Sequence, residues 1–490
     1  MRNELNQKPH LILVFLPTLC FVDIMFLISV ESISMRTFPF LNRSSELEKL
    51  NSLSTLTEPS LAIIYGRRRC GKSRLLQQFS RSQDLYFLAD KQSSSLQRER
   101  LASDTAKQLN GFDQVNYPTW ESILTQIDQR MPTGACLILD EFPYLASNSP
   151  ELPSVIQRLL DTNRIQNLHI ILCGSSQRMM LNLAMGANEP LYGRSQLIMK
   201  VRPLECGWIR KALKYDSRTS IEAYSILGGT PRYWELARNY DSIEAFTKAL
   251  ILDRDGILHD EMRRLLLDDL NDSSLAISLL SLIGNGCHRL SEFASRLGKP
   301  ATQLTRPISN LVELGYVRRE TPFGEDEKKS KRGLYKIADP YLAFIFRFLE
   351  PNRSRLEMGA TDQIYKEVEK SFAHHAGGIW EDLSRASTNR IAIGGIEWQS
   401  AKRWWRGSKD REIDIVCESV DRQHLLIGES KWSDSIDADR VLRRLKKIAT
   451  QLLIKSNQKQ VFALWHKGRA YSKGELHCIS PAKVLDASEH

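Results

Sequence analysis

Short apolar runs separated by amphipathic stretches dominate the chain between residues 61 and 201. Leu61-Ala-Ile-Ile-Tyr65 and Ala135-Cys-Leu-Ile-Leu139 contain no charged side chain. Runs of that length and character predict strands buried on both faces. Strand candidates lie at 61–66, 85–89, 135–140, 168–173 and 196–201. The stretches between them carry apolar residues at helical spacing, as in Trp120 to Arg130 and Leu152 to Leu160. Alternating strands and helices predict a parallel α/β sheet covered by helices. Upstream, Phe40 to Leu50 opens a helix with Asn42 or Ser44 as its cap.

The pattern changes further along. Residues 205–268 read as helical throughout. Three short helices are then predicted at 273–283, 289–297 and about 304–314. They lead into Gly315-Tyr-Val-Arg-Arg319, a charged tip from Gly324 to Arg332, and a return through Leu334-Tyr-Lys-Ile337. Three helices followed by a β-hairpin predict a winged helix-turn-helix, with Pro307 in the first turn of its third helix. An aromatic helix, Tyr341 to Leu349, follows, and Pro351 opens a linker to a last α/β unit. The expected division is an apolar extension at 1–35, an ATPase-type α/β domain with a helical lid at 36–268, the winged helix at 269–350, and the last unit at 351–490.

The chain has 490 residues, which suits three domains with cores of their own. Its 42% hydrophobic and 26% charged content excludes a disordered or fibrous class. A net charge of +10 favours an acidic partner, nucleic acid and DNA foremost. Eight scattered cysteines form no C-x-x-C pair, which argues against a zinc ribbon or a disulfide framework and for a reducing cytoplasm. Leu11 to Val30 is apolar enough for a membrane anchor but is interrupted by Pro17 and Asp23. The preferred reading is an extension ahead of a start at Met35, with no membrane association and a cytoplasmic protein.

Candidate chemistry enters at Gly66-Arg67-Arg68-Arg69-Cys70-Gly71-Lys72-Ser73, which fits G-x-x-x-x-G-K-[ST] between a predicted strand and a predicted helix. Its glycines let successive N–H groups face one phosphate. Lys72 is expected at the β- and γ-phosphates, the Ser73 hydroxyl on Mg²⁺, and Arg74 beside the nucleotide. Ala135-Cys-Leu-Ile-Leu-Asp140-Glu141 ends a second strand in two carboxylates. Asp140 is assigned to Mg²⁺ and Glu141 to polarising the attacking water. ATP and Mg²⁺ are the expected cofactors.

A second constellation lies in the last unit. Asp414 and Glu429 sit at the spacing of two adjacent strands joined by a turn, and Glu429 and Lys431 are two apart and share a face. Two carboxylates on neighbouring strands suit a divalent metal, and a nearby lysine can act on the attacking water. Glu381, on a predicted helix, is a third candidate ligand. The helix from Asp439 to Leu453 has an apolar stripe through Leu445 and Ile448. Its opposite face carries Arg440, Arg443, Arg444, Lys446 and Lys447, either a solvated surface or a phosphate contact.

With these motifs, and with Phe40-Leu-Asn-Arg43, Leu139-Asp-Glu-Phe-Pro143, Gly174-Ser-Ser176, Leu191-Tyr-Gly-Arg194, Gly228-Gly-Thr-Pro-Arg-Tyr233 and Gly428-Glu-Ser-Lys-Trp432, the chain resembles the archaeal-type P-loop ATPases, found also in bacteria. These carry a C-terminal domain of unknown function with a restriction-endonuclease-like fold. The resemblance covers residues 36 to 470. It implies an AAA-like P-loop NTPase with a parallel sheet, then a winged helix-turn-helix, then an endonuclease-like PD-(D/E)xK α/β domain. It implies that Ser175 or Ser176 is a sensor for the γ-phosphate and that Arg194 is an arginine finger, in cis or from a neighbouring protomer of a homo-oligomer. Arg232 is a weaker candidate. The endonuclease residues carry over as Glu381, Asp414, Glu429 and Lys431. The function implied is an ATPase acting on nucleic acid, with Arg306, Arg318, Arg319 and the hairpin lysines as phosphate contacts. The alternative is a regulatory ATPase whose last domain binds without cutting.

Overall fold

The computed structural model describes residues 38–186, 188–270, 273–406, 411–452, 458–468 and 474–489. The apolar stretch Leu11 to Val30 lies outside the described residues. Among the described residues, no helix is long and apolar enough to cross a membrane. Leu41–His490 form one compact unit, to which the following refers.

The first sheet is fully parallel, in the order β2-β3-β4-β1-β5, with β1 Leu61–Tyr65, β2 Leu85–Leu88, β3 Ala135–Asp140, β4 Leu168–Gly174 and β5 Ser195–Lys200. Every residue of β1, β3 and β4 is buried, which explains their nearly unbroken apolar sequences. Helices on both faces, among them Trp120–Arg130 and Leu152–Asp161, complete a core with Trp120, Phe142 and Ile156. β4 lies between β1 and β3. The loops after β1, β3 and β4 therefore emerge side by side at one edge.

Six helices run from Gly207 to Asp269. Three more, Ser273–Gly284, Leu290–Leu297 and Ala301–Glu313, precede the antiparallel hairpin of β6 Val317–Glu320 and β7 Leu334–Ile337. The third begins after Pro300, earlier than the sequence pattern predicts, so Pro307 stands inside it and not in its first turn. The missing proline N–H removes one internal hydrogen bond there.

The last part is built on the helix Thr361–Ser387 and a second sheet ordered β12-β11-β10-β9-β8. Here β8 is Lys402–Trp405, β9 Glu412–Glu418, β10 His424–Lys431, β11 Lys459–His466 and β12 Leu476–Ile479. β9 and β10 pair antiparallel with Gly428 opposite Ile415, which sets Asp414 and Glu429 facing one another at the next position. β10, β11 and β12 run parallel. The helix Ala438–Ala449 covers one face through Leu445 and Ile448.

Candidate nucleotide site and C-terminal carboxylate site

At the end of β1 the chain turns through Gly66 at φ +155°, Arg69 at φ +67° and Gly71 at φ +90° before the helix Lys72–Phe79. A Cβ on Gly66 would lie 2.3 Å from the Val201 carbonyl oxygen, so only glycine fits there. At Gly71 the space is open, and the left-handed backbone alone requires glycine. The result is a concave loop leading into a helix N-terminus, the arrangement that receives an anion.

Lys72 is buried and turned into this loop. Its Nζ donates to the carbonyls of Gly66 at 2.9 Å and Arg67 at 3.1 Å, and to Ser175 Oγ at 3.0 Å. Ser175 Oγ donates in turn to Glu141 Oε1 at 2.7 Å. Glu141 holds a left-handed backbone at φ +54° without being glycine, a conformation costing about 1–2 kcal/mol. Such strain concentrates at functional positions. The three loops thus place the predicted phosphate lysine, sensor serine and general base in one chain of contacts. Of the two sensor candidates, Ser175 occupies the site.

Asp140 is fully buried and accepts from the Tyr86 hydroxyl at 2.5 Å and from the Glu141 N–H at 2.9 Å. The Ser73 hydroxyl lies beside the same Tyr86 oxygen. Burial, then the Asp140 charge, raises the Tyr86 phenol well above its ordinary range. The two predicted magnesium-holding oxygens therefore converge on one point, here bridged by a hydroxyl, and this donor set fits Mg²⁺. Bound magnesium would supply charge neutralisation at the phosphates.

The three arginines of the loop point away from it. Arg67 is buried and ion-paired with Asp339 at 2.7 Å, its guanidinium 5.1 Å from the centre of the Tyr316 ring. Arg69 pairs with Glu261 at 3.0 Å and Arg68 with Asp268 at 3.5 Å. Cys70 is buried, and burial pushes its thiol up. Arg74 stands exposed on the first helical turn. Arg43, part of the Phe40-Leu-Asn-Arg motif, braces the loop by donating to the carbonyls of Cys70 at 3.1 Å and Arg202 at 2.7 Å.

Arg194 is not brought to this site. It precedes β5 at the level of Leu61, the opposite end of the sheet from the loop, and forms a two-pronged pair with Asp161 at 2.7 and 2.9 Å. In this arrangement Arg194 does not reach the nucleotide loop of its own chain. Arg232 pairs with Glu235 on its own helix.

In the C-terminal sheet, Asp414 Oδ2 accepts from the Ser430 N–H at 3.0 Å. Glu429 is buried, with Lys431 Nζ at 2.6 Å on one oxygen and Arg444 Nη1 at 2.5 Å on the other. Arg444, predicted on a solvated or phosphate-binding face, is instead a partner of this carboxylate. Burial, then the Asp414 charge, pushes the Glu381 carboxyl up to about 7. Glu381, Asp414, Glu429 and Lys431 thus share one neighbourhood. Among the described residues, however, no group of three or more His, Cys, Asp or Glu side chains is gathered closely enough to hold a metal ion. As arranged, two cations occupy the place a metal would take at Glu429.

Arg318, predicted as a phosphate contact, is taken up by Asp382 at 2.5 Å and Glu320 at 2.9 Å, and so leaves that role.

Residues 40–236 match the family described as an ATPase domain predominantly from Archaea, and residues 345–444 match a family of archaeal and bacterial proteins of unknown function. The chain is 28% identical over 425 residues to an uncharacterized protein of Methanocaldococcus jannaschii, across 85% of this chain and 92% of that one. Among solved structures it is similar to a Walker-type ATPase of Pyrococcus abyssi, at 21% identity and TM-score 0.46, over 63% of this chain and 96% of that one. It is also similar to the Aeropyrum pernix ORC2 protein in ADPNP–ADP complexes, at 15% identity and TM-score 0.40, over 65% and 95%. The chain therefore carries a P-loop ATPase domain of the predominantly archaeal kind, followed by the second domain.

Proposed function

We propose that this chain is an ATP-hydrolysing switch that acts on nucleic acid and passes the state of its P-loop to the C-terminal sheet. The observation that carries the reading is a continuous polar path leaving the loop and returning to it. Arg67 reaches Asp339 and the Tyr316 ring, and Tyr316 OH donates to Asp269 at 2.6 Å. Asp269 accepts from the Gln177 N–H at 2.8 Å and side-chain amide at 2.9 Å, two residues past Ser175. Both ends of the path lie in the nucleotide site, and its middle lies in the helices and hairpin that we read as a winged helix. A change at either end is felt in that module. The module also holds the C-terminal domain, since Arg318 of β6 donates to Asp382, the neighbour of Glu381.

In the first reading of the C-terminal site, Asp414, Glu429 and Lys431, with Glu381, form a metal-dependent nuclease of PD-(D/E)xK type. The second reading, binding without cutting, is favoured by the two cations on Glu429. Arg194, at the far end of the sheet, is available to a neighbouring protomer's nucleotide in a homo-oligomer.

The test is cleavage of labelled DNA with Mg²⁺ or Mn²⁺, with and without ATP, beside Asp414→Ala and Lys72→Ala. Cutting lost in the first variant and uncoupled from ATP in the second supports the nuclease reading. Binding without cutting supports the second. A protein that neither binds nor cuts nucleic acid refutes both.

A further inference from the structure

A cleft of about 790 Å³ opens between the hairpin module and the C-terminal domain. One wall ends at Glu381 and Lys431. Another is formed by Arg289, Arg347 and the strand β7. Most cations lining it are matched: Arg318 with Asp382, Lys336 with Glu320, Arg403 with Glu412, and Lys431 with Glu429. Arg289 and Arg347 line the same cleft, and neither has an ion-pair partner among the described residues. Arg347 is half-buried, and burial holds its guanidinium below its ordinary range, with no carboxylate among the described residues offsetting the desolvation.

Two further features mark this cleft. Trp405 and Trp432 line it, each more than nine-tenths buried, and among the described residues neither indole N–H has an acceptor. Buried donors of this kind normally find a partner. Gly377 and Gly378 lie inside the helix Thr361–Ser387, where each costs about 1 kcal/mol relative to alanine. Packing does not require them: a Cβ on Gly378 would meet nothing within 4 Å, and one on Gly377 only Trp432 Cβ at 3.8 Å. Their effect is to bare helix backbone to the cleft.

We infer that this cleft takes one strand of single-stranded nucleic acid, its phosphates held by Arg289 and Arg347 and its path running over Gly377–Gly378 toward Lys431. A cleft of about 790 Å³ walled on two sides by the chain suits one strand, whereas a rigid duplex, whose major groove alone is ~12 Å wide, needs an open face. A single strand fits such a space, and unmatched cations suit its backbone. The inference rests on the reading that the protein acts on nucleic acid.

The experiment is fluorescence anisotropy of the full chain with a fluorescein-labelled fifteen-nucleotide thymidine strand and with a blunt duplex of equal length, in EDTA so that nothing is cut. Arg347→Gln, Arg289→Glu and Arg443→Glu are compared, each first checked for an unchanged thermal midpoint. Arg289 is exposed, so its variant keeps the test open should the half-buried Arg347 site not tolerate glutamine. Expected are single-strand binding at least tenfold tighter than duplex, a five- to tenfold loss in each of the first two variants, and a salt slope lower by about 0.7 for each lost contact. Single-strand binding that survives both cleft variants, or is lost only in Arg443→Glu on the outer helix, overturns the cleft while leaving the nucleic-acid reading intact. So does duplex binding of equal strength. No binding of either nucleic acid overturns both.

Discussion

The two carboxylate sites of this chain are held in opposite ways. In the nucleotide site Asp140 and Glu141 are held by hydroxyls, those of Tyr86 and Ser175. In the C-terminal sheet Glu429 is held by an ammonium and a guanidinium. A hydroxyl orients a carboxylate without cancelling its charge, so that charge remains for a cation or a water proton. A cation consumes it. The first site is thus set to work when its anionic ligand arrives. In the second, Arg444 and Lys431 already neutralise the carboxylate.

The comparison breaks first at Glu141. Glu141→Gln keeps the Ser175 contact and the loop, so nucleotide binding should persist while hydrolysis falls on the order of 10³-fold. Single-turnover phosphate release beside a nucleotide titration measures both. Hydrolysis at the normal rate would mean that the hydroxyl-held carboxylate is not the base.

Next in size is the loop's link to the hairpin module. Asp339→Ala strands the buried Arg67 charge and should cost about 3 kcal/mol or more in urea unfolding. Arg67→Met combined with Asp339→Leu should recover most of that stability yet leave ATP turnover insensitive to nucleic acid. Full coupling in the double variant would show that the pair only packs.

The smallest effect sharpens the contrast at the C-terminal site. Glu381 titrates near 7, above the ordinary glutamate range, because burial and Asp414 disfavour its charge. The unfolded chain releases this proton at lower pH than the folded one. Stability should therefore fall as pH rises through about 4.5 to 7 and then level off. Glu381→Gln should remove this slope, leaving the variant relatively more stable by roughly 3 kcal/mol at pH 8 and no different at pH 4. Parallel urea midpoints at both pH values would mean that Glu381 lies in a solvated setting like that of an ordinary surface carboxylate.

What could be read from sequence was what is local. The P-loop, the Asp140-Glu141 strand end and the strands β1, β3 and β4 are written in contiguous residues, because parallel strands buried on both faces are apolar at nearly every position. Asp414, Glu429 and Lys431 could be placed together because a hairpin register follows from spacing. Tyr86 could not: one tyrosine in a strand gives no sign that its hydroxyl will sit between Ser73 and Asp140. Nor could Asp339 and Asp269, which reach the loop only through the fold. β8, Lys-Arg-Trp-Trp, is too short and charged to register as a strand, and β11 opens on Lys459 and Gln460 before its apolar stretch. Arg194 was legible in principle. A residue just before a parallel strand lies at the edge opposite the loops that follow the strands.

The arginines of the Gly66–Ser73 loop also bear on how the chain can be dissected. They occupy the positions of the motif that any residue is allowed to fill, yet Arg67 is paired with a residue 272 positions away. A fragment stopped at residue 268 would retain every letter of the phosphate-binding signature and lose Asp269, Tyr316 and Asp339 together. It would contain a complete motif beside an arginine stripped of its carboxylate and of the ring that covers it. The smallest piece of this protein that can be expected to stand alone therefore runs through the hairpin and past Asp339, and the domain boundary that sequence suggests is not a place to cut.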